Sequence, residues 1–199
     1  MIWGCLNKFF IKNKDVFGMP PPVELSPLNI IDQRGELPVH ETKTYSKRTK
    51  PFTHVAIHHS LTDTGTAEIF ARYHINDKGW PGIGYPYVIH KDGTIEWCWD
   101  LNLRTYHVGN SNNFALGIVN VGDYNSSHPT NIQWETCLRL VEKVAPHVPV
   151  VNVWGHQEYD DYSWKKCPGT HWVMAQFRKE LMQVRNGKHN FHGLREHGE

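Results

Sequence analysis

From residue 52 onward short apolar runs of β type alternate with segments of helical period, and this alternation constrains the fold more than any other feature of the chain. His54-Val55-Ala56-Ile57-His58-His59-Ser60 reads as a strand, and Thr66 to Asn76 follows as a helix with Ile69, Phe70 and Tyr73 on one face. Gly79-Trp80-Pro81-Gly82 stops that helix. Residues 85 to 99 read as a hairpin turning at Asp92-Gly93, a dipeptide suited to the positive φ of tight hairpin turns. Thr130-Asn131-Ile132-Gln133 has the form of a capping box, and Trp134, Cys137, Leu138 and Val141 continue at helical spacing, which predicts a helix over about 131–145. Val148 to Trp154 reads as a further strand and Trp172 to Val184 as a closing amphipathic helix. Strands interleaved with helices in this way predict an α/β domain.

The N-terminal quarter is less regular. Pro20-Pro21-Pro22 separates an N-terminal arm from an extended lead-in, residues 23 to 50, whose charged stretch Lys43 to Lys50 is expected to be a solvated face. The expected organisation is therefore an arm and lead-in over 1–50, a globular domain over 51–185 and a mobile tail over 186–199. That tail carries scattered His189, His192 and His197. Met1 to Lys8 lacks a charged start followed by an apolar stretch, so neither a signal peptide nor membrane insertion is expected. A net charge of +1 on 199 residues offers no basic stripe, so nucleic acid is not an expected partner. Four cysteines, Cys5, Cys98, Cys137 and Cys167, are too few here for a dense disulfide framework; Cys98 and Cys137 are expected to be buried thiols.

His58, His156 and Cys167 carry the chemistry. Two imidazoles and a thiolate can hold one Zn²⁺ and leave a fourth position open, the arrangement of catalytic rather than structural zinc. The chain has 14 His, and the interval from His156 to Cys167 matches no short zinc motif. Residue types alone therefore leave packed core histidines and a buried thiol as the alternative. Neighbouring side chains on a strand point to opposite faces, so only one of His58 and His59 can reach a shared metal. The alternation does not say which.

Four pieces stand in order around these residues. They are Val55-Ala56-Ile57-His58-His59-Ser60; Gly84-Tyr85-Pro86-Tyr87-Val88-Ile89 with Lys91-Asp92-Gly93-Thr94-Ile95; Leu116-Gly117-Ile118-Val119-Asn120-Val121-Gly122-Asp123; and Gly155-His156 with Lys165-Lys166-Cys167-Pro168-Gly169. Over roughly residues 52 to 182 they resemble the zinc-dependent N-acetylmuramoyl-L-alanine amidases, a family that includes phage lysozyme-type amidases and peptidoglycan recognition proteins. The resemblance implies a single domain with a central mixed β-sheet flanked by helices. It also implies a monomer and one Zn²⁺ held by His58, His156 and Cys167. Tyr85 would hydrogen-bond near the attacking water or the intermediate, and Lys165 would steady the oxyanion.

The implied substrate is bacterial peptidoglycan, cut between N-acetylmuramic acid and L-alanine. With no export signal read, the resemblance points to an endolysin of phage or prophage type, made in the cytoplasm and acting on the wall. His107, in Tyr106-His107-Val108-Gly109-Asn110, resembles a stretch lining the groove beside the metal, and Asn110, Asn112 and Asn113 suit hydrogen bonds to sugar or peptide. The chain departs from the pattern at Val119, where some relatives carry a catalytic glutamate. It also departs in the longer segment between His156 and Cys167, whose Tyr159, Tyr162 and Trp164 are expected to line the groove. Glu158, Asp160 and Asp161 there are candidate proton shuttles. Two rival readings are a peptidoglycan-binding module without activity, and a cysteine amidase with Cys167 as nucleophile and His156 as base.

Overall fold

The computed structural model describes residues 27–189 and 191. Its elements are strands β1 (Ile30–Asp32), β2 (His54–His59), β3 (Tyr87–Ile89), β4 (Ile95–Trp97), β5 (Ala115–Asn120) and β6 (Val153–Gly155), and helices α1 (Ala67–Asn76), α2 (Asn131–Val144) and α3 (Met174–Arg185). The strands form one sheet in the order β1-β4-β3-β5-β2-β6. Among the described strands the β3–β4 hairpin is antiparallel and the other pairs run parallel, so the sheet is mixed. Central β5 is buried at every position, the burial expected of a parallel strand covered on both faces.

The pleat divides the core into two layers. Ile57, Ile118 and Tyr87 are register partners and pack with Leu138, Val141, Phe177 and Leu181 beneath α2 and α3. Val88 and Val119, one residue out of phase, pack with Ala67, Phe70 and Ala71 of α1 on the opposite face. His58 pairs with Val119 and therefore faces the α1 side, whereas His59 pairs with Asn120 and faces α2.

Local signals account for most element ends. Thr66 Oγ1 accepts from Ile69 N at the start of α1, and Gly93 turns the hairpin with φ +84°. At α2 only half of the expected capping box forms. Thr130 Oγ1 accepts from Gln133 N, but the Gln133 side chain turns inward and donates to the Ile89 and Val121 carbonyls. The reason is the stronger demand of two buried carbonyls for donors.

Other expectations need correction. The inward face of α1 is Ala67, Phe70, Ala71 and His74, while Ile69 (57% exposed) and Tyr73 (48%) look outward. His74 is tolerated inside because its Nδ1 accepts from Gly84 N at 3.0 Å. The strand expected over 148–154 is a 3₁₀ turn at Val150–Asn152 followed by the short β6. Trp172 is buried ahead of α3 instead of starting it. Residues 27–50 supply edge strand β1, and the charged stretch is not wholly solvated. Tyr45 is buried with its hydroxyl on the Gly82 carbonyl, and Arg48 donates to the carbonyls of Leu101, Asn112, Asn113 and Ala115. Cys5, Pro20 to Pro22, His192 and His197 lie outside the described residues, while His189 Nε2 sits 3.4 Å from Glu180 Oε2.

Candidate metal centre and active site

Three elements converge at the C-terminal end of the parallel strands. His58 comes from β2, His156 follows β6 directly, and Cys167 closes the loop that begins at His156. The Gln157 N–H donates to the Cys167 carbonyl at 2.9 Å, which ties the two ends of that loop together. One ligand atom from each of His58, His156 and Cys167 lies within 4.8 Å of the other two, and all three residues are buried. His58 Nδ1 stands 3.7 Å from Cys167 Sγ, and the two imidazole rings have centroids 4.6 Å apart. His59 turns away: its Nδ1 accepts from Tyr124 N at 3.1 Å on the other face of the sheet. The pleat has therefore selected His58 for the cluster.

Electrostatics keep the cluster neutral as protein alone. Burial drives His58 well below the ordinary histidine range, with His156 and His107 adding to the depression, and holds His156 at about 3. Burial pushes the Cys167 thiol up to about 12. Neutral imidazoles offer lone pairs, and a buried thiol releases its proton when a cation takes its place. His156 Nε2 is buried with no hydrogen-bond partner among the described residues. An unsatisfied buried nitrogen beside a thiol and a second imidazole fits a divalent soft-to-borderline cation. Three donors suit a zinc site with an open position.

Tyr85 and Lys165 both border the cluster. The Tyr85 ring lies 5.1 Å from the His58 ring, and burial raises its phenol above the usual range, so the hydroxyl stays protonated. Lys165 Nζ lies over the Trp164 ring at 4.7 Å and the Tyr162 ring at 5.8 Å, and its charge lowers the pKa of His58, His156 and Cys167 alike. The loop presents Trp164, 74% exposed, and lays Tyr162 against His156 at 4.5 Å.

Several expected contributors are occupied elsewhere. Glu158 accepts from Gly155 N and pairs with Arg178 at 2.9 and 3.0 Å, which makes it a loop staple instead of a free proton shuttle. Asn112 is buried with its Oδ1 accepting from the His107 and Val108 N–H groups, so its side chain is not presented to a ligand. His107 is 6% exposed and turned onto His58. No spacing in the sequence signals that contact, because the two residues stand 49 positions apart.

This mixed sheet, carrying a His-His-Cys cluster at the strand ends, defines an α/β domain with a candidate metal centre, and comparison with known proteins narrows it. The family model for N-acetylmuramoyl-L-alanine amidase matches residues 48–170, and the chain belongs to that family. Peptidoglycan-recognition protein SC2 of Drosophila melanogaster is 29% identical over 101 residues, which is 49% of this chain and 53% of that protein. The N-acetylmuramoyl-L-alanine amidase of Sus scrofa is 27% identical over 114 residues, 50% of this chain and 18% of that protein. The chain thus spans about half the length of the fly relative and under a fifth of the pig one. Among solved structures, the amidase LysC from Clostridium intestinale shares the fold with a TM-score of 0.62 at 23% identity, covering 77% of this chain and 97% of that one. The Ph2119 endolysin of a Thermus scotoductus bacteriophage does so with 0.63 at 20% identity, covering 81% and 99%.

Proposed function

We propose that this chain is a zinc-dependent N-acetylmuramoyl-L-alanine amidase that cleaves the bond between N-acetylmuramic acid and L-alanine in bacterial peptidoglycan. More narrowly, we read it as an endolysin of phage or prophage type. The observation that carries the reading is the convergence of His58, His156 and Cys167 donor atoms within 4.8 Å in a chain of the amidase family.

His58, His156 and Cys167 would hold the ion. Bound zinc supplies Lewis acidity and a source of hydroxide near neutral pH. The protein's own groups do the rest. Lys165 places a cation beside the cluster, where it can steady the negative charge that builds on the carbonyl oxygen as the amide carbon becomes tetrahedral. Tyr85, kept protonated by burial and packed against the His58 ring, would serve as the hydrogen-bond donor to the attacking water or the intermediate. Val119 occupies the β5 position opposite His58, so no carboxylate acts from that strand. The loop from His156 to Cys167 offers Tyr162 and Trp164 as apolar faces against which sugar or peptide can lie.

Zinc-loaded protein incubated with purified peptidoglycan should release peptides with a new N-terminal alanine. A chelator should stop the release, and added Zn²⁺ should restore it. Activity that survives chelation and dies with an alkylating agent would transfer the reaction to Cys167 as nucleophile. Its thiol, pushed up to about 12 by burial, opposes that reading, because the thiolate is the nucleophile. Wall binding without release would leave a recognition module.

A further inference from the structure

One buried histidine beside the cluster has no part in the proposed reaction. His107 precedes β5, and its Nδ1 lies 3.2 Å from His58 Nε2 with the two rings nearly perpendicular, at 88°. The other His58 nitrogen, Nδ1, faces Cys167 Sγ at 3.7 Å. The two nitrogens of His58 are thus divided between two tasks. A neutral imidazole carries one proton, and the nitrogen that keeps it is set by the partner it finds. For Nδ1 to offer its lone pair to a cation, the proton must sit on Nε2 and be donated to His107 Nδ1.

The surroundings fix the place of the His107 ring from two sides. Its backbone N–H and that of Val108 both donate to Asn112 Oδ1, at 2.9 and 2.8 Å. Beneath the ring lies Gly117 of β5, where a Cβ would come within 2.8–3.0 Å of Cγ, Cδ2 and Nδ1 and push the ring away. Arg48, reaching in from the lead-in, ties down the Asn112 carbonyl at 2.8 Å.

We propose that His107 is a positioning residue that fixes His58 with Nε2 protonated and Nδ1 turned toward the metal, in a seat made by Asn112 and Gly117. This rests on the zinc reading given above. Partners of this kind set ligand orientation and basicity, and their loss typically weakens metal binding about 10- to 100-fold.

Two measurements test it. Long-range ¹⁵N–¹H spectra of the zinc-loaded, unaltered chain should show His58 protonated at Nε2; protonation at Nδ1 overturns the proposal without need of a variant. Zinc affinity, measured by competition with a chromophoric chelator, should fall about 10- to 100-fold in His107→Leu. It should stay within a few-fold of the parent in His107→Asn, whose Oδ1 supplies an acceptor near the same place. Equal affinity in the Leu variant and the parent overturns the proposal while leaving the zinc reading intact. If the unaltered chain binds no zinc, the zinc reading falls and takes the proposal with it.

Discussion

The donors of the candidate centre stand on two kinds of support. His58 is carried by β2, which pairs with β5 along all six of its residues and with β6 over three. His156 and Cys167 sit at opposite ends of a loop of 3₁₀ turns that is largely exposed. The strand half is positioned by the cooperative hydrogen bonding of the sheet. The loop half depends on a few discrete ties: the Gln157–Cys167 backbone bond and the Glu158 carboxylate, which holds Gly155 N and Arg178. One half is prepared by the fold and the other by local bonds that can be removed one at a time. A site built this way sets a rigid strand-borne donor against a loop held by few ties, and regions with few ties open locally most easily.

The largest effect should come from the strand half. His58→Ala should abolish zinc binding measured by metal analysis of the purified protein, whereas His59→Ala should keep stoichiometric zinc. The latter should instead lose about 1–3 kcal/mol of stability, because Tyr124 N is left buried without its acceptor. Equal metal loss in both variants would break the assignment of faces.

A second effect, of up to about 3 kcal/mol, belongs to the support of Tyr85 and depends on pH. Burial holds His74 at about 4 against an ordinary 6.5, and its Nδ1 accepts from Gly84 N, one residue before Tyr85. Because the folded value lies below the unfolded one, the contribution is fully present above pH 6.5. It is lost as pH falls toward 4, since the unfolded chain takes up the proton first. Urea midpoints of the metal-free chain should therefore drop more steeply over this window for the parent than for His74→Asn, which keeps an acceptor but does not titrate. Parallel curves would remove His74 from the account.

The smallest effect probes the loop half. Arg178→Met should cost about 1 kcal/mol or less, because the pair with Glu158 is partly exposed. Its signature is local: amide exchange should quicken over residues 156–167 while the amides of β2 and β5 keep their protection. Uniform loosening of both regions would show that the two halves are not independent.

Much of this was legible in the sequence because it is local. Thr130 caps the helix it precedes, Asp92-Gly93 turns the hairpin, and the apolar run ending in His58 and His59 forms the strand expected of it. The misreadings share a cause. Ile69 and Tyr73 look like core residues by hydropathy, yet α1 turns Ala67, Ala71 and His74 inward, because small side chains let it lie close to the sheet and Gly84 satisfies the histidine. Glu158 carries no local mark of its partner, because Arg178, which claims it, stands 20 residues later. The parallel pairing of β1 with β4 has no local signature, since nothing within either strand specifies a partner 65 residues away.

By itself the sequence determined which residues could do chemistry, where the long helices and the central strand β2 would fall, and that His58 and His59 must part company. Which of the two joins Cys167 and His156 was implied by the resemblance but not by the alternation, and the tertiary structure puts His58 there; it alone decided where Arg48 and Glu158 spend their charge and what stands behind His58. The physical reason is that periodicity is a property of a few neighbouring residues, whereas a face acquires its meaning only from what packs against it. Here α1 on one side of the sheet and α2 with α3 on the other give the pleat its direction.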